Sequence, residues 1–190
     1  MSSDRTFDAL LDAMRHGAAL LREHDIGFAL AGSLAVYARG GPETDHDVDF
    51  VIKPEDVDRA LEVFGENGWR CERPPEGWLV KVYDEQDSMI DLIFEPNHTP
   101  VDDDVLARAD ELEVYAIELK VMSVTDVLTT KLLALKEHEV DYESVLEVAR
   151  ACREQIEWTA LREQTASSPY AKAFFTLVEE LGLSSPQPEP

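Results

Sequence analysis

Residues 31–52 read AGSLAVYARGGPETDHDVDFVI, and this segment decides the fold. The pattern predicts a buried strand, a turn at Gly32-Ser33, a short helix, a loop, and a second strand that opens with an Asp-x-Asp sequence. Side chains two residues apart on a strand point to the same face. Asp47 and Asp49 would therefore present two carboxylates side by side, about 6–7 Å apart along the backbone. The alternate apolar side chains of the strand would face the core.

These residue types suit phosphate and metal chemistry. Adjacent anions repel one another, and a hard divalent cation removes that repulsion while using carboxylate oxygens as ligands. Gly32 permits close backbone approach, and free N–H groups with the Ser33 hydroxyl can hold a phosphate where a strand meets a helix N-terminus. A third carboxylate, Asp91, is the single charge in the apolar stretch MIDLIF. If its strand pairs beside the Asp-x-Asp strand, the three acids form the arrangement required by two-metal nucleotidyl transfer.

Outward from this segment, apolar periodicity and turn residues indicate the remaining elements. Helices are expected over 4–24, 54–67 and 102–109, and strands over 26–31, 69–71, 78–83 and 89–94. Residues 112–117 and 119–122 are expected to form a hairpin or paired edge. Four further helices are expected over 124–136, 142–153, 157–164 and 169–181, the first of them capped by Ser123. The prediction is an α+β domain over residues 1–122, a helical C-terminal domain over 123–183 and a flexible tail over 184–190.

Composition excludes several classes of protein. The chain has 17 Lys and Arg against 40 Asp and Glu, a formal net charge of −23. This charge argues against a general nucleic-acid binder and against an anionic membrane surface as partner. The hydrophobic fraction of 44% argues against a disordered acidic segment. Two cysteines, no apolar run of about 20 residues and no signal-peptide pattern at the N-terminus favour a cytoplasmic location.

The Gly-Ser pair, the Asp-x-Asp pair and the later single Asp resemble the signature of the nucleotidyltransferase superfamily, which has the DNA polymerase beta-like fold. The resemblance covers roughly residues 7–140, and the layout is most similar to small bacterial nucleotidyltransferases of the abortive-infection and toxin–antitoxin type. It implies a mixed sheet flanked by helices and followed by a C-terminal helical bundle. It also implies three groups of site residues: Gly32, Ser33 and Lys131 for nucleotide binding, Asp47, Asp49 and Asp91 for metal binding and catalysis, and Asp141 as a looser match to a later acid.

Several of these residues have a second interpretation. Lys131 lies on the apolar side of its helix, where its stem could pack while its ammonium group reaches water. His46 could be a ligand, a base or an ordinary loop histidine. Arg39 could approach a phosphate or pair with a nearby acid.

The expected activity is transfer of a nucleoside monophosphate from a nucleoside triphosphate, such as ATP, to a hydroxyl group. Magnesium is the expected cofactor, with manganese as the other possibility. The acceptor would be a small molecule or a protein rather than a nucleic acid, and a cationic acceptor would be attracted by the acidic surface. The alternative is a nucleotidyltransferase-like fold with weak or no activity, which binds a basic protein partner as an antitoxin would.

Overall fold

The computed structural model describes residues 3–42 and 47–184 of the chain. Within them lies one mixed sheet of seven strands in the order β3-β4-β5-β2-β1-β7-β6. The β1/β7 and β2/β5 pairs are parallel, and the other neighbours are antiparallel. The strands are β1 Phe28–Leu30, β2 Val48–Ile52, β3 Arg70–Glu72, β4 Leu79–Tyr83, β5 Met89–Ile93, β6 Asp110–Val114 and β7 Ile117–Val121.

Helices cover the sheet and form the C-terminal part of the described chain. They are α1 Ser3–Glu23, α2 Gly32–Ala38, α3 Val57–Glu66, α4 Asp103–Ala107, α5 Val124–Ala134, α6 Tyr142–Ala151, α7 Trp158–Gln164 and α8 Pro169–Glu180. Short 3₁₀ segments span Pro54–Asp56, Pro96–His98 and Arg153–Gln155. The expected α+β class with a mixed sheet is therefore confirmed. Among the described residues, no helix is both long and apolar enough to cross a membrane.

The first face of the sheet packs on α1 and α3. Gly17 of α1 lies so close to β5 that an added Cβ would come within 2.5 Å of Cδ1 of Ile90, and the rings of Phe50 and Phe64 are 3.6 Å from the same position. On β2, Val48, Phe50 and Ile52 are fully buried. Because side chains alternate along a strand, Asp49 lies on the opposite face. The burial of these three apolar side chains on the first face therefore places the Asp49 side chain on the other face of the sheet.

The C-terminal helices assemble around α5, which packs against α6, α7 and α8 and also contacts α2. The predicted start of α5 is confirmed, since Ser123 Oγ accepts a 3.0 Å hydrogen bond from the Asp126 backbone N–H. Ser123 Oγ also donates to Asp126 Oδ2 at 2.8 Å. Arg108 completes the contact by binding both carboxylate oxygens of Asp126, so the helix start is also attached to the segment after α4. The division of the chain at residues 122 and 123 stays a prediction.

The expected hairpin over residues 112–122 has a different turn position. The strands are β6 and β7, and the two-residue turn consists of Tyr115 and Ala116, with φ of 49° and 62°. A two-residue turn with positive φ at both positions matches the twist of the flanking strands, but it usually carries Gly, Asn or Asp. The expectation that residues 112–117 form one continuous strand was wrong, because the turn interrupts them after Val114. The turn was not predicted because Tyr and Ala are not typical turn residues.

Arg39, just beyond α2, pairs with an acid, which was one of its two expected roles. Its guanidinium group donates to Asp110 Oδ2 at 2.8 Å, to the Val121 carbonyl at 2.8 Å and to the Met122 carbonyl at 2.7 Å. The side chain is only 9% exposed. The end of α2 is thereby attached to the β6–β7 hairpin.

We expect Arg39→Ala to lower the free energy of unfolding by about 2–4 kcal/mol, because it leaves two carbonyl groups without their charged donor. Urea unfolding followed by circular dichroism measures this loss. Arg153→Ala is the control, because this side chain is 55% exposed and its ion pair with Glu154 is 3.6 Å long. Arg153→Ala should lower the free energy of unfolding by less than about 0.5 kcal/mol. Equal effects in the two variants would contradict the role given to Arg39.

Candidate active site

Two of the predicted carboxylates lie opposite one another in the sheet. In the parallel β2/β5 pair, Asp49 is in register with Asp91. Both side chains therefore lie on the same face, away from α1 and α3, at the distance of cross-strand neighbours. The expectation that the strand of Asp91 pairs beside the Asp-x-Asp strand is confirmed. Asp47, one residue before β2, is exposed.

Gly32 lies against Asp49 from the neighbouring strand. Its φ is +60°, and a Cβ at this position would overlap Oδ2 of Asp49, with Cγ only 2.8 Å away. The backbone makes the same connection, because the Ala31 N–H donates to the Asp49 carbonyl at 2.8 Å. Glycine is required here both for the left-handed backbone and for the close approach of the carboxylate. The Gly-Ser turn and the acidic strand thus form one site.

The electrostatics of the site centre on Asp49. Burial, followed by the negative charges of Asp91 and Asp47, raises the pKa of Asp49 from 3.8 to about 7. The charges of Lys131 and Lys81 act in the opposite direction but do not cancel this rise. The raised pKa means that the ionised form of Asp49 is destabilised, first by loss of water and then by the neighbouring acids, and such shifted groups are common in functional sites.

Asp91 has a cationic partner that the sequence analysis missed. Lys81 on β4 is directly opposite Asp91 in the antiparallel β4/β5 pair, and its ammonium group is 2.8 and 3.1 Å from the two carboxylate oxygens. Burial raises the pKa of Asp91, although Lys81 counteracts part of this effect. Burial lowers the pKa of Lys81, but the hydrogen bond and the charge of Asp91, with smaller contributions from Tyr83 and Asp47, more than offset it, so the pKa of Lys81 is raised. The signal was present in LVKVY, where lysine is the single charge in an apolar strand.

The other predicted residues are distributed around this centre. Ser33 is partly buried in the first turn of α2, directly after Gly32. Lys131, partly buried on α5, is close enough for its charge to act on Asp49 and on Asp141. Asp141 caps α6 by accepting a hydrogen bond from the Ser144 N–H at 3.2 Å, which with the Ser144 side chain lowers its pKa. His46 lies outside the described residues.

The donor set fits a hard cation chemically, because carboxylate oxygens are its preferred ligands and a positive charge would favour the ionised form of Asp49 that burial and its acidic neighbours disfavour. In the described part of the chain, however, no group of three or more His, Cys, Asp or Glu side chains is arranged to hold a metal ion. The metal role of Asp47, Asp49 and Asp91 therefore stays a prediction.

Solved structures of two antibiotic-modifying enzymes share this architecture. ANT(2'')-Ia in complex with adenylyl-2''-tobramycin aligns with a TM-score of 0.61 and 15% identity, over 86% of this chain and 97% of that chain. The lincomycin-bound lincosamide antibiotic adenylyltransferase LnuA aligns with a TM-score of 0.53 and 11% identity, over 72% and 92%. At these identities the likeness shows the fold alone. The fold is that of the nucleotidyltransferases.

A family model makes the assignment at the level of sequence. Residues 27–179 match the family described as "uncharacterised nucleotidyltransferase". The match covers most of the chain, so the chain belongs to this nucleotidyltransferase family, and its class of activity is nucleotidyl transfer. A search of curated proteins gives no significant match.

Proposed function

We propose that this protein transfers a nucleoside monophosphate from a nucleoside triphosphate to a hydroxyl group of an acceptor, with magnesium as cofactor. The observation that carries the proposal is the register of Asp49 with Asp91, next to a glycine turn that only glycine can form. This arrangement concentrates negative charge beside backbone N–H groups. Such a combination is useful for holding a cation together with phosphates.

The residues would divide the work as follows. The Gly32-Ser33 turn would hold the triphosphate, and the ammonium group of Lys131 would add positive charge to it. Asp47, Asp49 and Asp91 would hold magnesium, or manganese in its place. When bound, the cation supplies neutralisation of the phosphate charge.

The transfer itself is a substitution at phosphorus. The acceptor oxygen forms a bond to the α-phosphorus, and the bond from that phosphorus to the oxygen bridging to the β-phosphate breaks. Pyrophosphate leaves with the bonding electron pair. The hydroxyl proton would pass to the carboxylate of Asp91, the acid that the family resemblance places nearest the acceptor. Most of the acceleration would come from positioning and charge stabilisation.

The acceptor would be a small molecule or a protein rather than a nucleic acid. The net charge of −23 repels polyanions and attracts cations, so a cationic hydroxyl compound would encounter the site faster than an anionic one. Both cysteines, Cys71 and Cys152, are free thiols, which suits a reducing cytoplasm.

The first experiment measures the melting temperature with each of the four ribonucleoside triphosphates, with and without magnesium. A ligand at about 100 times its dissociation constant stabilises the native state by about 2.7 kcal/mol, or about 5–10 °C in a domain of this size. We expect such a shift with at least one nucleotide, only in the presence of magnesium.

The double variant Asp47→Ala/Asp49→Ala is the control and should lose the magnesium-dependent part of the shift. Pyrophosphate release in the presence of candidate hydroxyl acceptors then tests the transfer step. The proposal fails if the wild-type protein shows no magnesium-dependent shift with any triphosphate. Co-purification of a basic protein together with that result would support the binding-protein alternative.

A further inference from the structure

A row of four charged residues, one on each of four neighbouring strands, crosses the sheet at the site. Lys81 is opposite Asp91 in the β4/β5 pair, and Asp91 is opposite Asp49 in the β2/β5 pair. Directly opposite residues share a face, so one lysine and three carboxyl groups lie side by side on the face away from α1 and α3. Lys81 is also opposite Glu72 in the β3/β4 pair. The exposed carboxylate of Glu72 instead pairs with Arg70 and accepts a hydrogen bond from the Tyr83 hydroxyl, so Asp91 is the acid that holds the Lys81 ammonium group.

The ion pair between Lys81 and Asp91 is close and shielded. The ammonium group is within hydrogen-bonding distance of both carboxylate oxygens, at 2.8 and 3.1 Å, and is 3.5 Å from the sulfur of Met89. The side chains of Lys81 and Asp91 are only 24% and 13% exposed. Reduced contact with water strengthens the attraction relative to an exposed pair.

This pair uses the oxygens that a metal ion would need. A divalent cation approaching Asp91 meets a carboxylate whose two oxygens already contact an ammonium group. It must displace that group or share the carboxylate with it, and either step costs free energy. Lys131 differs from Lys81, because it acts on Asp49 through its charge and comes from α5 rather than from the sheet.

We propose that Lys81 is the resting counter-cation of Asp91 and thereby sets the concentration at which a divalent cation loads the site. The inference rests on the proposed function, since it assumes that Asp91 belongs to a metal-binding site. In the metal-free protein, Lys81 compensates part of the charge of the row and holds the Asp91 side chain in place. It is a positioning residue that acts through Asp91.

The test compares two lysines that differ in location but not in charge. Lys81→Met removes the ammonium group and keeps the length of the side chain. Lys53→Met removes the same charge from a lysine that is similarly shielded, 22% exposed, and paired with Glu55 and Asp103. Lys81→Arg preserves the positive charge, so it is expected to fold and to keep a manganese affinity within about threefold of the wild type.

The measured quantity is the affinity for Mn²⁺ alone, from the electron paramagnetic resonance signal of the free ion, in protein without nucleotide. Removing a competing charge at hydrogen-bonding distance should tighten Mn²⁺ binding on the order of tenfold in Lys81→Met. Lys53→Met should change it by less than about twofold, because water and salt screen a more distant charge.

A coupling experiment separates the pair from a general effect of charge. In an Asp91→Asn background, Lys81→Met should no longer tighten binding by more than about twofold, because its partner has lost its charge. The inference is overturned if Lys81→Met behaves like Lys53→Met, or if the full tightening persists in that background. Absence of Mn²⁺ binding in every variant, with no nucleotide-dependent shift in melting temperature, would overturn the proposed function as well.

Discussion

Asp49→Asn is expected to make the metal-free protein more stable at pH 8 and to slow nucleotidyl transfer about a thousandfold. The pKa of Asp49 is raised to about 7, first by burial and then by the charges of Asp91 and Asp47. Ionising this carboxyl group in the native state therefore costs more than in the unfolded chain. Asparagine has a similar shape and carries no charge, so the substitution removes that cost.

The sign of the pH dependence follows from proton binding. Between pH 4 and pH 7 the native state retains a proton on Asp49 that the unfolded chain has released. The contribution of this group to the free energy of unfolding therefore falls as the pH rises through that window. Above pH 7 the penalty is complete, and about 2 kcal/mol is expected once partial access of water is taken into account.

Urea unfolding at pH 4 and pH 8 measures the effect. Asp49→Asn should be about 2 kcal/mol more stable than the wild type at pH 8 and nearly equal to it at pH 4. Asp8→Asn, on the exposed surface of α1, is the control and should change stability by less than about 0.5 kcal/mol at either pH. Equal destabilisation at both pH values would refute the electrostatic explanation.

The rate of nucleotidyl transfer should fall in Asp49→Asn, whereas the stability at pH 8 should rise. If Asp49 holds a cation at the reacting phosphate as proposed, loss of its charge removes several kcal/mol of transition-state stabilisation, or about a thousandfold in rate. Nucleotide-dependent pyrophosphate release measures this loss. A variant that is both more stable and inactive would show that the site sacrifices stability for function.

Gly32→Ala is expected to have the second large effect. The new methyl group would overlap the Asp49 carboxylate, and alanine would have to adopt a φ of +60°. The backbone strain costs about 1–2 kcal/mol, and the overlap must displace either the turn or Asp49. We expect a loss of about 3 kcal/mol or more in the free energy of unfolding, together with loss of magnesium-dependent nucleotide binding.

Gly40→Ala separates the cost of backbone strain from the cost of the overlap with Asp49. Gly40 also has positive φ, +87°, but an added Cβ would meet nothing within 4 Å. It should therefore show the cost of backbone strain alone, about 1–2 kcal/mol, and retain nucleotide binding. Combining Gly32→Ala with Asp49→Ala should recover part of the lost stability, because the overlapping carboxylate is gone. If Gly32→Ala is no worse than Gly40→Ala, the close contact with Asp49 is unimportant.

The sequence predicted the part of the site that depends on local pattern. Asp49 and Asp91 each stand out as charges within apolar strands, and Gly32 precedes a helix at a strand end. Their meeting depends on β2 and β5 being neighbours, which the residues alone left conditional. The resemblance to nucleotidyltransferases favoured that pairing, and the structure confirms it, because β2 and β5 are neighbours with Asp49 in register with Asp91.

Other features depend on register and long-range contact, which local patterns do not encode. Lys81 was detectable as an isolated charge, but its partner is known only once β4 is aligned with β5. The Tyr115–Ala116 turn was missed because the residues there do not favour positive φ. The contact between Gly32 and Asp49 joins residues 17 positions apart through the β1/β2 pairing, so it too required the three-dimensional structure.

The attachment of Arg39 limits how this chain can be recombined with its relatives. Its side chain binds the end of the β6–β7 hairpin, while its carbonyl accepts a 2.8 Å hydrogen bond from the Gln155 side chain. The helix that begins at Gly32 is thus held at its far end by residues on both sides of position 122. A chimera that exchanges the C-terminal helices at that position would need a matching partner for Arg39, since without one the exchange would also disturb the Gly32-Ser33 turn at the other end of the helix.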